Sequence, residues 1–209
     1  MPRGGLRITT TVGFGSTWLT PRIGRFLDAY PDISLEILLD DHEVDLSMRK
    51  ADCAIRLYRP SQPGLIALKL VRVKFHVYAA PSYLERKGEP RTAEDLDSHD
   101  LVTYGANAPP MIADVNWLMS AGANPARPRS ARARINNIYG VLQAVDSGLG
   151  IGSLPEYIVA NDTHLVRIMQ DVPGPAFDAY FAYPEELREA QRIAVFRDFL
   201  LSEVANWPH

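Results

Sequence analysis

The first sixty residues carry apolar patterns that predict strands and helices in turn. Residues 6–12 are rich in β-branched side chains and end at Gly13-Phe14-Gly15, which predicts a strand that runs into a turn. Apolar residues then recur at i, i+4, i+7, i+8 and i+11, the spacing of one helix face. These residues are Leu19, Ile23, Phe26, Leu27 and Tyr30. A helix therefore follows the first strand and ends at Pro31-Asp32.

The start of this helix has more than one solution in the sequence. Ser16 or Thr17 is suited to cap it, because hydroxyl side chains accept from the first free N–H groups of a helix. Thr20 is the other candidate, since Pro21 would then occupy the first helical position, where proline is favoured.

Two further strands complete a β-α-β-α-β unit. Residues 33–39 read as the second strand, Asp40-Asp41-His42 opens a weaker helix, and residues 53–57 read as the third strand. Parallel strands with crossover helices are the usual result of such alternation, so we expect an α/β sheet.

The pattern begins again in the second half, which predicts a second lobe. Apolar runs at 65–70 and 73–80 come first, and the alternation of helix and strand resumes at Pro81. The clearest helix runs from Asn136-Asn137 to Gly148, which suits its C-terminal cap, and a strand follows at 151–154. A long closing helix presents one apolar face, formed by Ile193, Phe196, Leu200 and Val204.

Composition allows a real core and argues against direct nucleic-acid binding. The chain is 46% hydrophobic, and its 22 Lys and Arg against 25 Asp and Glu give a net charge of −3. Such a balance provides no basic field for phosphates. No stretch reaches the roughly 20 apolar residues of a membrane span, so we expect a cytoplasmic protein. The single cysteine, Cys53, is expected to be a buried apolar residue rather than a redox sensor.

Catalytic and cofactor motifs are not recognisable, which predicts that the chain is not an enzyme and holds neither cofactor nor metal. The five histidines are widely spaced in the sequence, without the local spacing of a zinc site. Ser16 does not lie in a Gly-x-Ser-x-Gly nucleophile elbow. The glycines from Gly148 to Gly152 follow a helix and enter a strand, the reverse of a dinucleotide-binding turn.

The turns that follow predicted strands are the candidate ligand site. Parallel sheets bind ligands at the carboxyl ends of their strands, and helix N-termini there favour anions. The three turns are residues 11–17, Asp40-Asp41-His42 and Asn136-Asn137. Plain helix capping is an equal alternative for Ser16, Thr17 and Asn137, and His42 also suits a solvated turn.

Arg56 stands inside an otherwise apolar strand, and a buried guanidinium needs a partner. A protein carboxylate or the anionic group of a ligand would each serve.

Short motifs also appear in a fixed order along nearly the whole chain. The first are Gly5-Leu6-Arg7-Ile8, Leu19-Thr20-Pro21-Arg22-Ile23 with Phe26, and Ala51-Asp52-Cys53-Ala54-Ile55-Arg56. The later ones are Tyr78-Ala79-Ala80-Pro81-Ser82-Tyr83-Leu84, Gly148-Leu149-Gly150-Ile151-Gly152 with Leu154-Pro155, and Tyr183-Pro184 with Asp198-Phe199-Leu200. Together they resemble the effector-binding domain of LysR-type transcription regulators.

The resemblance implies a fold of two Rossmann-like subdomains joined by two crossover segments, like a type 2 periplasmic binding protein, with the effector between the lobes. Lobe I would be residues 1–71 plus 176–209, and lobe II residues 72–175. By motif position and by the turns above, the expected effector contacts are Thr11, Phe14, Ser16, Thr17, His42, Arg56, Tyr104, Asn137 and Ala179.

The same resemblance implies a sensor of a small, anionic or aromatic metabolite. DNA would be bound only by an N-terminal winged helix-turn-helix that is absent from this chain, and the full-length protein would be a homodimer or homotetramer. The chain begins where the family's effector domain begins, so we expect a truncated regulator. The alternative is a solute-binding protein of a transport system with the same fold.

Overall fold

The structure, a computed structural model, describes residues 2–42, 46, 50–105, 110–159 and 164–207, with the side chains of Pro110, Met111 and Ala113 left out. The strands are β1 Gly4–Thr10, β2 Ile33–Leu39, β3 Cys53–Arg56, β4 Leu65–Ala79, β5 Leu101–Tyr104, β6 Ala133–Ile135, β7 Ile151–Pro155, β8 Val166–Ile168 and β9 Ala176–Pro184. The α-helices are α1 Val12–Phe14, α2 Ile23–Ala29, α3 Pro81–Lys87, α4 Ile138–Asp146, α5 Glu156–Val159 and α6 Gln191–Val204. Short 3₁₀ segments cover Glu94–Ser98, Pro110–Met119 and Glu185–Leu187.

The chain divides into two compact units. Unit 1 comprises Met1–Val73 and Phe177–His209, and unit 2 comprises Lys74–Ala176. The chain leaves unit 1 within β4 and returns at the start of β9. The two apolar runs at 65–70 and 73–80 belong to this single long strand, because no residue between them breaks extended backbone.

Unit 1 contains a sheet with the strand order β2-β1-β3-β9. β1 is parallel to both β2 and β3, as the sequence pattern predicts, and β9 is antiparallel to β3. Leu6 and Ile8 of β1 are almost fully buried. Aromatic residues of α2 and α6 pack edge to face, with the rings of Phe26 and Phe196 5.2 Å apart. Burial of Cys53 in β3 confirms its expected role as an apolar core residue.

The helix after β1 begins earlier than the sequence indicates. Helical turns run without a break from Val12 to Ala29: α1, a π-helical turn at Gly15–Leu19, a 3₁₀ turn at Thr20–Arg22, and α2. The starts expected at Ser16, Thr17 or Thr20 are therefore wrong. Thr17 lies inside the helix and donates its hydroxyl to the Gly13 carbonyl oxygen, 2.8 Å away.

Unit 2 contains a second sheet, with the order β4-β7-β5-β6 and with β8 paired to β4. β5 is parallel to β6 and β7, whereas β4 is antiparallel to β7. Asn137 caps α4, as expected, by accepting from the Gly140 N–H at 2.7 Å. Gly148 follows the last turn of α4 with φ of +78°, which confirms its predicted place at the C-terminal end.

Arg129 holds together the irregular part of unit 2. Its guanidinium donates to the carbonyl oxygens of Ala93, Leu118 and Ala121 and also pairs with Asp97. The Arg129 side chain is only 4% exposed. The segment 121–133 is thus fixed by the contacts of one side chain.

Candidate ligand-binding site

The carboxyl ends of β1, β2 and β3 meet at one edge of the unit 1 sheet. Thr10 pairs with Leu39 of β2 and with Ile55 of β3, and the Asp40 N–H donates to the Thr10 carbonyl oxygen at 2.9 Å. The turns that follow β1 and β2 are therefore neighbours. Ligands of parallel α/β sheets bind at such an edge.

Asp41, just after β2, accepts from the first N–H of the helix that follows β1. Its Oδ1 lies 3.0 Å from the backbone nitrogen of Val12. Among the described residues, its other oxygen, Oδ2, is buried without a hydrogen-bond partner. Burial raises the pKa of the Asp41 carboxyl, whereas the Val12 N–H and the charge of Arg56 oppose that rise. This cap could not be predicted from a local pattern, because 29 positions separate the two residues.

Arg56, the last residue of β3, reaches the same edge. It is 2% exposed. Its Nη1 donates to the Asp40 carbonyl oxygen at 2.6 Å, and its Nη2 donates to the Thr9 hydroxyl oxygen at 2.9 Å. Both of these acceptors are neutral oxygens of the protein, so the expected pairing of Arg56 with a carboxylate or with a ligand anion stays a prediction.

His42 is the exposed end of the turn after β2. Its backbone N–H donates to Asp40 Oδ1, and its ring nitrogen Nδ1 lies 2.9 Å from the same oxygen. These hydrogen bonds are the main reason why the pKa of the Asp40 carboxyl is lowered. The side chain of His42 is 89% exposed, which fits a solvated turn; its contact with an effector stays a prediction.

The helical turns after β1 pack closely on the strand ends. A β-carbon at Gly15 would meet the side chains of Leu39 and Thr10, which shows how closely this turn approaches the strand ends. The π-helical turn begins at the same residue. Such turns often occur at functional sites, which favours this segment as part of the site.

The other residues expected at the unit 1 site differ in how much of each is accessible. Thr11, Ser16 and Thr17 are partly exposed. Phe14 is 1% exposed, with its ring 4.8 Å from that of Trp18, and Ala179 on β9 is fully buried. All five stay predictions as effector contacts.

Unit 2 has a comparable edge at the end of β5. Asn116 Nδ2 donates to the Tyr104 carbonyl oxygen at 3.2 Å, while Asn116 Oδ1 is a second buried acceptor without a partner in the described part of the chain. Asn137 uses its side-chain oxygen for the α4 cap. Tyr104 and Asn137 stay predictions as effector contacts. Asn116 was not predicted from the sequence, because it appears there only as one polar residue in an irregular apolar segment.

In the described ranges, no three His, Cys, Asp or Glu side chains lie close enough to share a metal ion. Among the helices described, none combines the length and apolar character needed to cross a bilayer.

Comparisons with known proteins agree on one family. The model of the LysR substrate binding domain matches residues 1–205. An HTH-type transcriptional regulator of Xanthomonas campestris is 27% identical over 97% of this chain, which spans 60% of that protein's length. YhjC, an uncharacterized HTH-type transcriptional regulator of Escherichia coli, is 30% identical over 94% of this chain and 67% of its own length.

A solved structure gives the same result. The CrgA regulatory domain of Neisseria meningitidis, a LysR-type transcriptional regulator, aligns with a TM-score of 0.85 at 26% identity, over 97% of this chain and all of that one. This likeness confirms the expected fold class, the α/β fold of type 2 periplasmic binding proteins with two Rossmann-like subdomains. The chain therefore belongs to the LysR substrate-binding domain family.

Proposed function

We propose that this chain senses a small-molecule effector and controls DNA binding by a longer LysR-type regulator, in the cytoplasm, as a homodimer or homotetramer. The observation that carries the proposal is the edge formed by Thr10, Asp41 and Arg56, where strand ends, a helix start and unsatisfied buried oxygens come together. Buried polar atoms are normally hydrogen-bonded, so those without a protein partner indicate where a ligand or water binds.

The effector would act by shifting a conformational equilibrium. A ligand can do so only if it binds one state more tightly than the other. Thr11, Ser16, Thr17 and His42 are the proposed polar contacts of unit 1, and Tyr104 and Asn137 those of unit 2. The net charge of −3 supports the assignment of DNA contacts to another part of the protein.

A thermal-shift screen of this chain against carboxylates, amines, aromatic acids and amino acids tests the proposal, because a ligand of the native state raises its apparent stability. A hit whose shift is lost in Ser16→Ala but kept in Ser202→Ala, a matched change on exposed α6, supports the site in unit 1. Asn137→Ala removes a helix cap as well, so its ligand-induced shift is compared with its own ligand-free midpoint. A hit that neither Ser16→Ala nor Asn137→Ala affects would contradict the placement.

The role in transcription needs the longer protein. A regulator carrying this chain should bind its operator with an affinity that the effector changes, whereas the isolated chain should not bind DNA. Fluorescence anisotropy with a labelled operator fragment measures both. Equal affinity with and without a saturating effector would refute the sensing role.

A further inference from the structure

The helix that begins at Val12 has its N-terminus at the unit 1 edge. Helix N-termini usually attract anions, but a carboxylate of the protein already occupies this one. Asp41 Oδ1 accepts from the Val12 N–H at 3.0 Å. An incoming carboxylate would have to displace Asp41 from this N–H or remain next to a group of the same charge. Like charges at such a distance repel, most strongly where water is excluded.

The buried guanidinium of Arg56 acts on Asp41 through its charge, but it already donates hydrogen bonds to oxygens of the protein. Arg56 is 2% exposed and gives Nη1 and Nη2 to the Asp40 carbonyl and the Thr9 hydroxyl. Little of its surface can reach a bound molecule. The carboxylate of Asp40 is held by His42 and adds a second negative charge to the same turn.

Of the described polar atoms without a partner at the edge, the Asp41 carboxylate oxygen can only accept, whereas the Thr10 hydroxyl can both accept and donate. Asp41 Oδ2 is buried without a partner among the described residues, and so is the hydroxyl oxygen of Thr10, a residue that is fully buried. In unit 2, considered separately, Asn116 Oδ1 is also an acceptor without a partner. A group that donates hydrogen bonds satisfies the Asp41 and Asn116 oxygens, whereas a carboxylate does not.

We propose that the unit 1 edge around Asp41 selects a ligand group that donates hydrogen bonds, an ammonium or a hydroxyl, and rejects a carboxylate at that position. This rests on the proposed function and narrows it. It also departs from the anionic effector that helix starts alone would favour. The Asp41 carboxylate already occupies the anion-binding position at the helix start, and the ligand binds that carboxylate.

The test uses three probes of matched size, benzylamine, benzyl alcohol and benzoate, titrated into the ¹⁵N-labelled chain at neutral pH. The Val12 amide resonance reports directly on Asp41. We expect saturable shifts of Val12 with benzylamine and benzyl alcohol, and binding of benzoate at least about tenfold weaker at this resonance.

Asp41→Asn keeps an acceptor for Val12 but removes the charge, so the advantage of benzylamine over benzoate should disappear. Asp28→Asn, the same change on the exposed side of α2, should leave it intact.

Each outcome decides between distinct possibilities. Benzoate binding at Val12 as tightly as benzylamine overturns the inference and leaves the proposed function standing. Shifts confined to other resonances, with Val12 unchanged, also overturn it. If no probe shifts any resonance while the thermal screen finds a carboxylate effector, the inference fails alone; if that screen is empty too, the proposed function fails with it. The comparison of probes on the unmodified chain does not depend on how the variants fold.

Discussion

The guanidinium of Arg56 lies 2.6 Å from the carbonyl oxygen of Asp40 and ties the end of β3 to the turn after β2. The same side chain reaches the hydroxyl of Thr9 on β1, which lies between those two strands. One buried residue thereby fixes three strand ends that form the proposed binding edge.

Replacing Arg56 with Met should therefore destabilise the protein by about 2–3 kcal/mol, because hydrogen bonds from a charged group are strong and their buried acceptors would lose a donor. Urea unfolding followed by circular dichroism measures the loss. Arg7→Met is the control, since the Arg7–Glu36 ion pair has side chains 47% and 54% exposed and such pairs contribute about 0–1 kcal/mol. Equal losses in the two variants would contradict the role given to Arg56.

Trp207 should be a major contributor to the stability of unit 1. It is 4% exposed, and its ring lies 5.5 Å from that of Trp18 and 6.3 Å from that of Phe14. Trp207→Ala should lower the free energy of unfolding by about 3–5 kcal/mol, the usual cost of removing a buried aromatic side chain. Leu201→Ala, at an exposed position of α6, should change it by less than about 1 kcal/mol. Denaturant titration distinguishes the two, and similar values would show that the aromatic contacts contribute little.

The stability of unit 2 should fall as pH decreases through the ordinary histidine range. The Tyr83 hydroxyl accepts from the Asp100 N–H and pairs with His99 Nδ1 at 3.1 Å. Burial lowers the pKa of His99, with the charge of Lys87 acting in the same direction and Asp95 and Asp100 opposing it. In the unfolded chain His99 binds a proton at about pH 6.5, whereas in the folded chain it binds one only at a lower pH. The folded state therefore loses stability as the pH falls below about 6.5, until the lower pKa of folded His99 is reached.

His99→Gln should reduce this dependence, measured as the free energy of unfolding in urea at a series of pH values between neutral and mildly acidic. His76 has a pKa that burial also lowers, so His76→Gln should remove a separate part of the slope. An unchanged slope in His99→Gln would show that His99 titrates alike in the folded and unfolded chains.

Gly150 should tolerate no side chain. A β-carbon there would clash with the carbonyl oxygen of Asp100, a backbone atom that cannot move aside alone. Gly150→Ala should cost at least about 2 kcal/mol, as overpacking does. Gly24→Ala in α2 meets nothing within 4 Å and should stabilise the chain by about 0.5–1 kcal/mol, because alanine favours helix. Thermal unfolding midpoints that move in opposite directions confirm both; a neutral Gly150→Ala would mean that Asp100 can shift.

Local patterns in the sequence were sufficient for much of the fold. Asn137 was predictable as a cap because its partner is only three residues away, and the helix face from Leu19 to Tyr30 follows the helical period. The start of that helix was not predictable, since its first N–H is satisfied by Asp41, 29 positions away. The partners of Arg56 could not be predicted for the same reason, because the sequence indicates a buried charge but not which strand ends surround it.

The contacts of Arg129 have a consequence for which changes unit 2 can accumulate over evolution. Three carbonyl oxygens, that of Ala93 and those of Leu118 and Ala121 farther along the chain, converge on one guanidinium as backbone atoms, whatever side chains those residues carry. Most positions of 121–133 are exposed, so their side chains are free to vary. Arg129 alone can then preserve the course of this loop while the neighbouring side chains change. Even lysine would be a poor replacement, because it lacks the planar fork of arginine.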